Sequence, residues 1–323
     1  MDKKRVLIFP AGSEIAFEIV NAMKYSKFVE LIGGTSVTDH SEFVFKELIQ
    51  GFPYVNDTDF LPFLNEKISE YNIDCVYPAH DSVSVFLSEH SHEISAQVII
   101  TDAFTTKTCR SKKATYKLFA GEDFIPRTYD SADDVDTFPV FVKPEIGQGS
   151  QGAMKISTRA ELTRALHEDP SLVICEFLPG MEYTVDCFTD AEGVLRVVKL
   201  RDRERIRTGI SVRSQSLTTD SRVLDIATRI NSRLNFKGAW FFQLRRNIHG
   251  EYMLMEISPR IPGTMGVSRN AGINFPILTL FVFCGMGGGA ITNRQQPRYY
   301  AGSCILQRVQ IKCTLRTRIR RLR

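Results

Sequence analysis

The chain has 323 residues, 43% of them hydrophobic and 24% charged. That composition suits a soluble globular protein of about two domains and excludes disordered, collagen-like and disulfide-scaffold classes. The net charge of +4 is unevenly placed: residues 285–323 carry nine basic and no acidic side chains, so residues 1–284 sum to −5. An acidic body argues against nucleic acid as a partner of the protein as a whole.

The longest apolar stretch, 275–284, contains Pro276 and is about half of what a membrane span needs. Lys3, Lys4 and Arg5 precede a short apolar run that stops at Pro10, with Glu14 and Glu18 after it, which does not read as a signal peptide. The seven cysteines are odd in number and lack CxxC spacing, so they are expected to be thiols of a cytoplasmic protein. His90 and His92 are too few ligands for a metal site.

In chain order, residues 5–9 predict a strand, Gly12 and Ser13 a turn, and Ile15, Ile19, Val20 and Met23 a helix. Residues 28–32 predict a second strand. A helix over 60–71, a strand over 74–77, a helix over 82–88 and a strand over 97–101 follow. Residues 1–105 are therefore expected to form a small α/β domain with a parallel sheet. Its first turn holds only Gly12, short of the three glycines of a dinucleotide fingerprint. Asp81, at a strand end, reads as a helix cap before a site residue.

Further along, a helix is expected over 111–119 and a strand over 138–142 that delivers Lys143. Then come Gly147, Gly149, Ser150 and Gly152, a strand over 153–156, a helix over 159–169 and a strand over 172–177. Strands over 183–189, 195–200, 240–245 and 252–257 predict an antiparallel sheet, with a helix over 221–234 between them.

A lysine at a strand end before a glycine-rich loop suits a phosphate cover, because glycines allow backbone N–H groups to converge on anions. A glycine-rich hairpin is the plain alternative. Glu256 and Ser258, two apart on one strand, share a face and suit Mg2+, with Gln243 on a neighbouring strand as a further oxygen donor. Arg260 has the fork geometry for phosphate. Taken alone, Glu256 also fits an exposed strand position, and the charged run 201–205 fits a surface strand.

The order Lys112, Lys143 with its glycine loop, the run from Glu176 through Glu182 to Asp186, Gln243, then Glu256, Ser258 and Arg260 resembles the ATP-grasp superfamily, nearest its carbamoyl-phosphate-synthase-like, amino-acid-ligase type. The resemblance covers residues 5–284. It implies a small parallel-sheet domain (1–105) followed by an ATP-grasp domain (106–284) of two α+β subdomains clasping ATP, with 138–178 as a mobile lid.

The resemblance also implies roles. Lys112, or Lys113 in its place, and Lys143 would contact ATP phosphates, and Gly147, Gly149, Ser150 and Gly152 would close over them. Glu176, Phe177 and Leu178 would line the adenine, and Glu182 would meet the ribose. Gln243, Glu256 and Ser258 would hold Mg2+, or Mn2+ in its place. Arg260 would bind the transferred phosphate, and Arg203, with Arg201 and Arg207 behind it, would clamp the substrate carboxylate. Ser258 departs from the family's usual asparagine, which puts the number of metal ions in doubt.

The implied activity is ATP-dependent joining of a small-molecule carboxylate to an amine through an acyl phosphate, releasing ADP and phosphate. A homodimer is compatible with it. The alternative is a catalytically inactive ATP-binding protein of the same fold. The basic tail, 285–323, reads as a frame change or a divergent terminus, ahead of a nucleic-acid contact.

Overall fold

The computed structural model describes residues 3–207 and 209–285. The tail expectation therefore lies outside the described residues, save Gly285. The chain opens with β1 (Lys4–Phe9), α1 (Glu14–Met23), β2 (Val29–Gly34), a 3-10 turn (His40–Phe43), β3 (Glu47–Ile49), α2 (Phe60–Glu70), β4 (Cys75–Pro78), α3 (Asp81–Glu89) and β5 (Gln97–Val98). These strands form a parallel sheet in the order β3-β2-β1-β4-β5. β1 is central, and its last four residues, Val6 to Phe9, are buried. A parallel strand covered on both faces needs such an unbroken apolar run. The Ser13 hydroxyl caps α1 by accepting from Ala16 N.

Two short helices, α4 (Ala103–Arg110) and α5 (Lys112–Leu118), lead into a second, antiparallel sheet. It contains β6 (Thr128–Tyr129), β7 (Val140–Lys143), β8 (Met154–Ile156) and, after α6 (Arg159–Glu168), β9 (Val173–Glu176), in the order β6-β9-β7-β8. The third sheet holds β10 (Glu182–Thr189), β11 (Leu195–Asp202), β14 (Gly238–Arg246) and β15 (Tyr252–Ser258), ordered β11-β10-β14-β15. Between them lie the hairpin of β12 (Arg205–Arg207) and β13 (Ile210–Arg213), and α7 (Ser221–Arg233). The described chain closes with α8 (Gly266–Asn270) and α9 (Phe275–Cys284).

The third sheet separates two environments. Tyr183, Val185 and Cys187 of β10, with Trp240, Phe242 and Leu244 of β14, face the apolar stripe Val223, Ile226, Ala227 and Ile230 of α7. The alternate residues point the other way. Phe188 and Ala239 pack there against α9 and the first sheet's core, while Thr184, Gln243 and Arg201 face a cleft. The period of two in these strands thus sorts core from site.

Several elements differ from expectation. The strand expected over 97–101 is only Gln97–Val98. The apolar stretch 275–284 is α9, with Pro276 in its first turn where no amide partner is lost, and the Asn274 side chain caps it. Cys75 and Cys284, expected as thiols, bring their sulfurs together, with Cα atoms 7.6 Å apart. That separation lies beyond the ~7 Å a disulfide ordinarily bridges. Cys109, Cys175 and Cys187 are free and buried. No described helix is long and apolar enough to cross a membrane.

Candidate active site

A cleft of about 390 Å³ lies between the third sheet, the glycine loop and the ends of the first sheet. Strand register sets its floor. Arg201 of β11 stands opposite Thr184 of β10, Thr184 opposite Gln243 of β14, and Gln243 opposite Glu256 of β15. One row across four strands therefore carries all four side chains to the cleft.

A bulge makes the last step work. Beyond Gln243 the β14–β15 register slips, so that Leu244 opposes Leu254 and Met255 is the extra residue. The slip reverses the alternation: Tyr252 and Leu254 lie in the core, and past the bulge Ile257 does too. Glu256 and Ser258 turn to the cleft as a result. The same bulge releases the Met255 carbonyl, which accepts from Lys143 Nζ at 3.0 Å and Tyr116 OH at 3.1 Å.

Lys143 is buried against Tyr116, with Nζ 2.6 Å from the phenol oxygen. These two groups sit in a narrow slot lined by Phe141, Cys175, Glu176, Leu178 and Met255. The slot lies between the second and third sheets, with Glu176 and Arg245 also on its walls, and its free volume of about 10 Å³ is too small for a nucleobase unless the two sheets part. Lys112 lines the cleft, where burial pushes its ammonium down and the nearby Glu256 charge opposes that. Lys113 is half exposed and pairs with Glu145, so Lys112 is the lysine brought to the site.

Gln243 and Glu256 make no side-chain hydrogen bond among the described residues, and both present oxygen to the cleft beside Lys112. One amide and one carboxylate oxygen fit Mg2+, which keeps waters and substrate phosphates as its remaining ligands. Ser258 is committed elsewhere: its hydroxyl donates to Asp81 Oδ1 at 3.2 Å. That contact competes with the metal role expected of it.

Asp81 is not the cap it was read as. The N-cap of α3 is His80, whose ring nitrogen accepts from Ser82 N, and Asp81 is the first helical residue. Its carboxylate holds Arg260 through two contacts, Nε–Oδ1 at 2.8 Å and Nη2–Oδ2 at 2.5 Å. Burial alone would raise this carboxyl, but Arg260 overrides burial and holds it at about 2. Arg260 lines the cleft in this fixed pose.

The glycine loop lies over the cleft. Gly149, Ser150 and Gly152 all have positive φ. Gly209, at the turn of the β12–β13 hairpin, sits so close that a Cβ on it would meet Gly149 backbone at 2.2 Å. From the other side, Gln148 Nε2 is 3.1 Å from His80 Nε2, and Arg110 donates to the Gly147 carbonyl at 3.1 Å. Burial pushes the His80 imidazole down, which favours its neutral form.

The remaining expected residues divide. Gly147 and Gly149 line the cleft; Ser150 and Gly152 are in the loop but not among its lining residues. Glu176 and Leu178 line the slot; Phe177 turns away, its ring 4.6 Å from Lys155 Nζ. Glu182 and Arg203, expected on ribose and on substrate, face each other, with Nε–Oε1 at 2.7 Å. Arg203 also donates to the Gly209 carbonyl at 2.7 Å. Arg110, His80, Tyr116 and Thr184 are site residues that the sequence reading missed.

Two antiparallel sheets clasping a slot with a buried lysine, behind a small parallel-sheet domain, define the ATP-grasp fold. The chain takes this fold, and residues 168–301 match the family described as "ATP-grasp in the biosynthetic pathway with Ter operon". The match continues past Gly285, where the sequence resemblance had been placed as ending.

Among curated relatives, D-alanine–D-alanine ligase of Thermotoga maritima is 30% identical over 115 residues, covering 32% of this chain and 38% of the ligase. The arginine-specific carbamoyl phosphate synthase large chain of Bacillus subtilis is 26% identical over 141 residues, covering 40% of this chain and 14% of that one. The alignments thus span well under half of these relatives. Among solved structures, biotin carboxylase of Campylobacter jejuni superposes with a TM-score of 0.72 at 15% identity, covering 87% of this chain and 71% of that one. L-amino acid ligase of Bacillus licheniformis gives 0.68 at 18% identity, covering 87% and 74%. At these identities the likeness is one of fold.

Proposed function

We propose that this protein is an ATP-dependent carboxylate–amine ligase. The observation that carries the reading is the pair Gln243 and Glu256: two side chains in register that line the cleft with no side-chain hydrogen bond among the described residues, Glu256 close enough to Lys112 to act on its charge. In this reading the second and third sheets part to admit the adenine beside Leu178 and Met255, with Lys143 and Lys112 on the phosphates and the 147–152 loop over them. Residues 1–105 and 106–284 are the two domains, and 138–178 is the lid.

A substrate carboxylate oxygen attacks the γ-phosphorus of ATP, forming an O–P bond as the β,γ-bridging bond breaks and ADP leaves. The amine nitrogen then attacks the acyl carbon, phosphate departs, and the amine loses a proton. Mg2+ held by Gln243 and Glu256 would neutralise phosphate charge during transfer. Lys112, Lys143 and Arg260 contribute positioning and charge stabilisation. Asp81 fixes the Arg260 fork beforehand, so that its orientation is set before substrate arrives.

The test is ADP release with a panel of carboxylic acids, using hydroxylamine to trap acyl phosphates as hydroxamates. Hydroxamate with some acids, lost in Lys143→Met and reduced at limiting Mg2+ in Glu256→Gln, supports the ligase. Variants that match wild type refute the site. Ser258 and Arg260 both being tied to Asp81 favours a second reading, a nucleotide binder without turnover. Tight ATP binding with no hydroxamate from any acid would support that one.

A further inference from the structure

The floor of the cleft carries two polar groups that no described residue satisfies. Arg201 is 1% exposed and Thr184 is 0% exposed, yet Arg201 Nη1 and Thr184 Oγ1 have no hydrogen-bond partner among the described residues. Both residues line the cleft and stand directly opposite each other on β11 and β10. Leaving such groups unpaired is costly, and proteins seldom do so without a ligand or water to fill the gap.

The rest of the Arg201 fork is fully engaged. Its Nε donates to Asp186 Oδ2 at 3.0 Å and its Nη2 to Asp186 Oδ1 at 3.3 Å. Ser268 Oγ braces the same carboxylate at 2.7 Å. Asp186 stands two residues from Thr184 on the same face of β10, so the pair is anchored in the sheet. Arg201 is thereby locked in one pose with its remaining edge turned to the cleft. Arg203, the residue expected to clamp substrate, also lines the cleft, but it is ion-paired with Glu182 and donates to the Gly209 carbonyl.

We infer that Arg201 Nη1 and Thr184 Oγ1 form a subsite for a carboxylate oxygen of the small-molecule substrate, so that Arg201 is its specificity-determining residue. A guanidinium N–H and a hydroxyl side by side offer two donors to one anionic oxygen. The Asp186 charge offsets the buried cation, so the subsite is formed without an empty anion hole. Its position in the row, next to Gln243, sets the bound acid beside the residues assigned to the metal. The inference rests on the ligase reading, which supplies the carboxylate.

The test uses thermal shift of the full chain with a non-hydrolysable ATP analogue and Mg2+, then with formate, acetate, succinate and the common L-amino acids added. Thr184→Val is the principal variant, because it removes a hydroxyl that bonds to no described residue and keeps the side-chain shape. Its melting temperature should equal or exceed that of wild type. Arg201→Lys is the second variant, retaining charge against Asp186 without the free fork edge.

The expected result is that at least one acid protects wild type and binds Thr184→Val about tenfold more weakly, with nucleotide affinity unchanged. Equal protection of both proteins overturns the subsite. So does nucleotide binding without protection by any acid, or a Thr184→Val protein that is less stable than wild type and binds acids normally, which is the signature of a structural water. Failure of the nucleotide itself to bind would sink the ligase reading separately. Acid protection measured without nucleotide then decides the subsite.

Discussion

Asp81 and Arg260 link the first sheet's helix α3 to the segment after β15, and the strength of that link can be worked out. Asp81→Asn keeps the side-chain shape and removes the charge. The carboxyl sits at about 2 against an ordinary 3.8, and at about 1.36 kcal/mol per pH unit the gap corresponds to about 2 kcal/mol. Both side chains are largely buried, 16% and 13% exposed, so solvent screening takes little of it. The sign follows from a depressed acid: the contribution is present above about pH 4 and is lost as pH falls through about 2.

The assay is urea unfolding followed by the fluorescence of Trp240, the single tryptophan, which is stacked 4.0 Å from Phe236. Wild type, Asp81→Asn, Arg260→Gln and the double variant form a cycle. We expect a coupling of about 2 kcal/mol at pH 7 and a shrinking wild-type advantage over Asp81→Asn below about pH 4. A coupling under about 0.5 kcal/mol would refute the reasoning, since that is the range of an exposed surface pair.

Other outcomes follow from the site. Lys143→Met should weaken ATP binding by about tenfold or more, read by calorimetry, because it deletes the buried charge at the end of the slot. Glu256→Gln should raise the Mg2+ concentration for half-maximal ADP release by about tenfold while metal-free nucleotide binding holds. Gly209→Ala adds a Cβ that meets Gly149 backbone at 2.2 Å, at φ +75°, so limited proteolysis within 147–152 should speed up. Unchanged cleavage there would show that the hairpin does not hold the loop down.

Much of the fold was legible because its strands and helices carry clean periods. β1, α1, α7 and the strands of the third sheet fall where apolar spacing put them. α4 was not legible: it buries Thr105, Thr106, Thr108 and Cys109, residues that read as polar in sequence. It brings Arg110 to the cleft unannounced.

Glu256 and Ser258 were correctly read as sharing a face, but which face they share depends on the bulge at Met255, and no residue type there marks it. Asp81 was misread because a short acidic side chain before a helix usually caps it, and only the fold shows that Arg260, far along the chain, claims the carboxylate. The family resemblance put Arg203 ahead of Arg201, whereas their contacts separate only once their partners, Glu182 and Asp186, are known.

The row Arg201, Thr184, Gln243, Glu256 also works as a ruler. Hydrogen-bonded strands lie about 4.8 Å apart, so the backbone places the outer two positions roughly 14 Å from each other and the inner two one step apart. Side-chain rotamers can trim these distances, but the ladder fixes the pitch. An acid held at the β10–β11 end must reach the metal end across whole strand steps. If the proposed subsite holds the acid, the length of substrate is counted in strands, and moving the arginine inward by one strand would shorten the accepted molecule by about 5 Å.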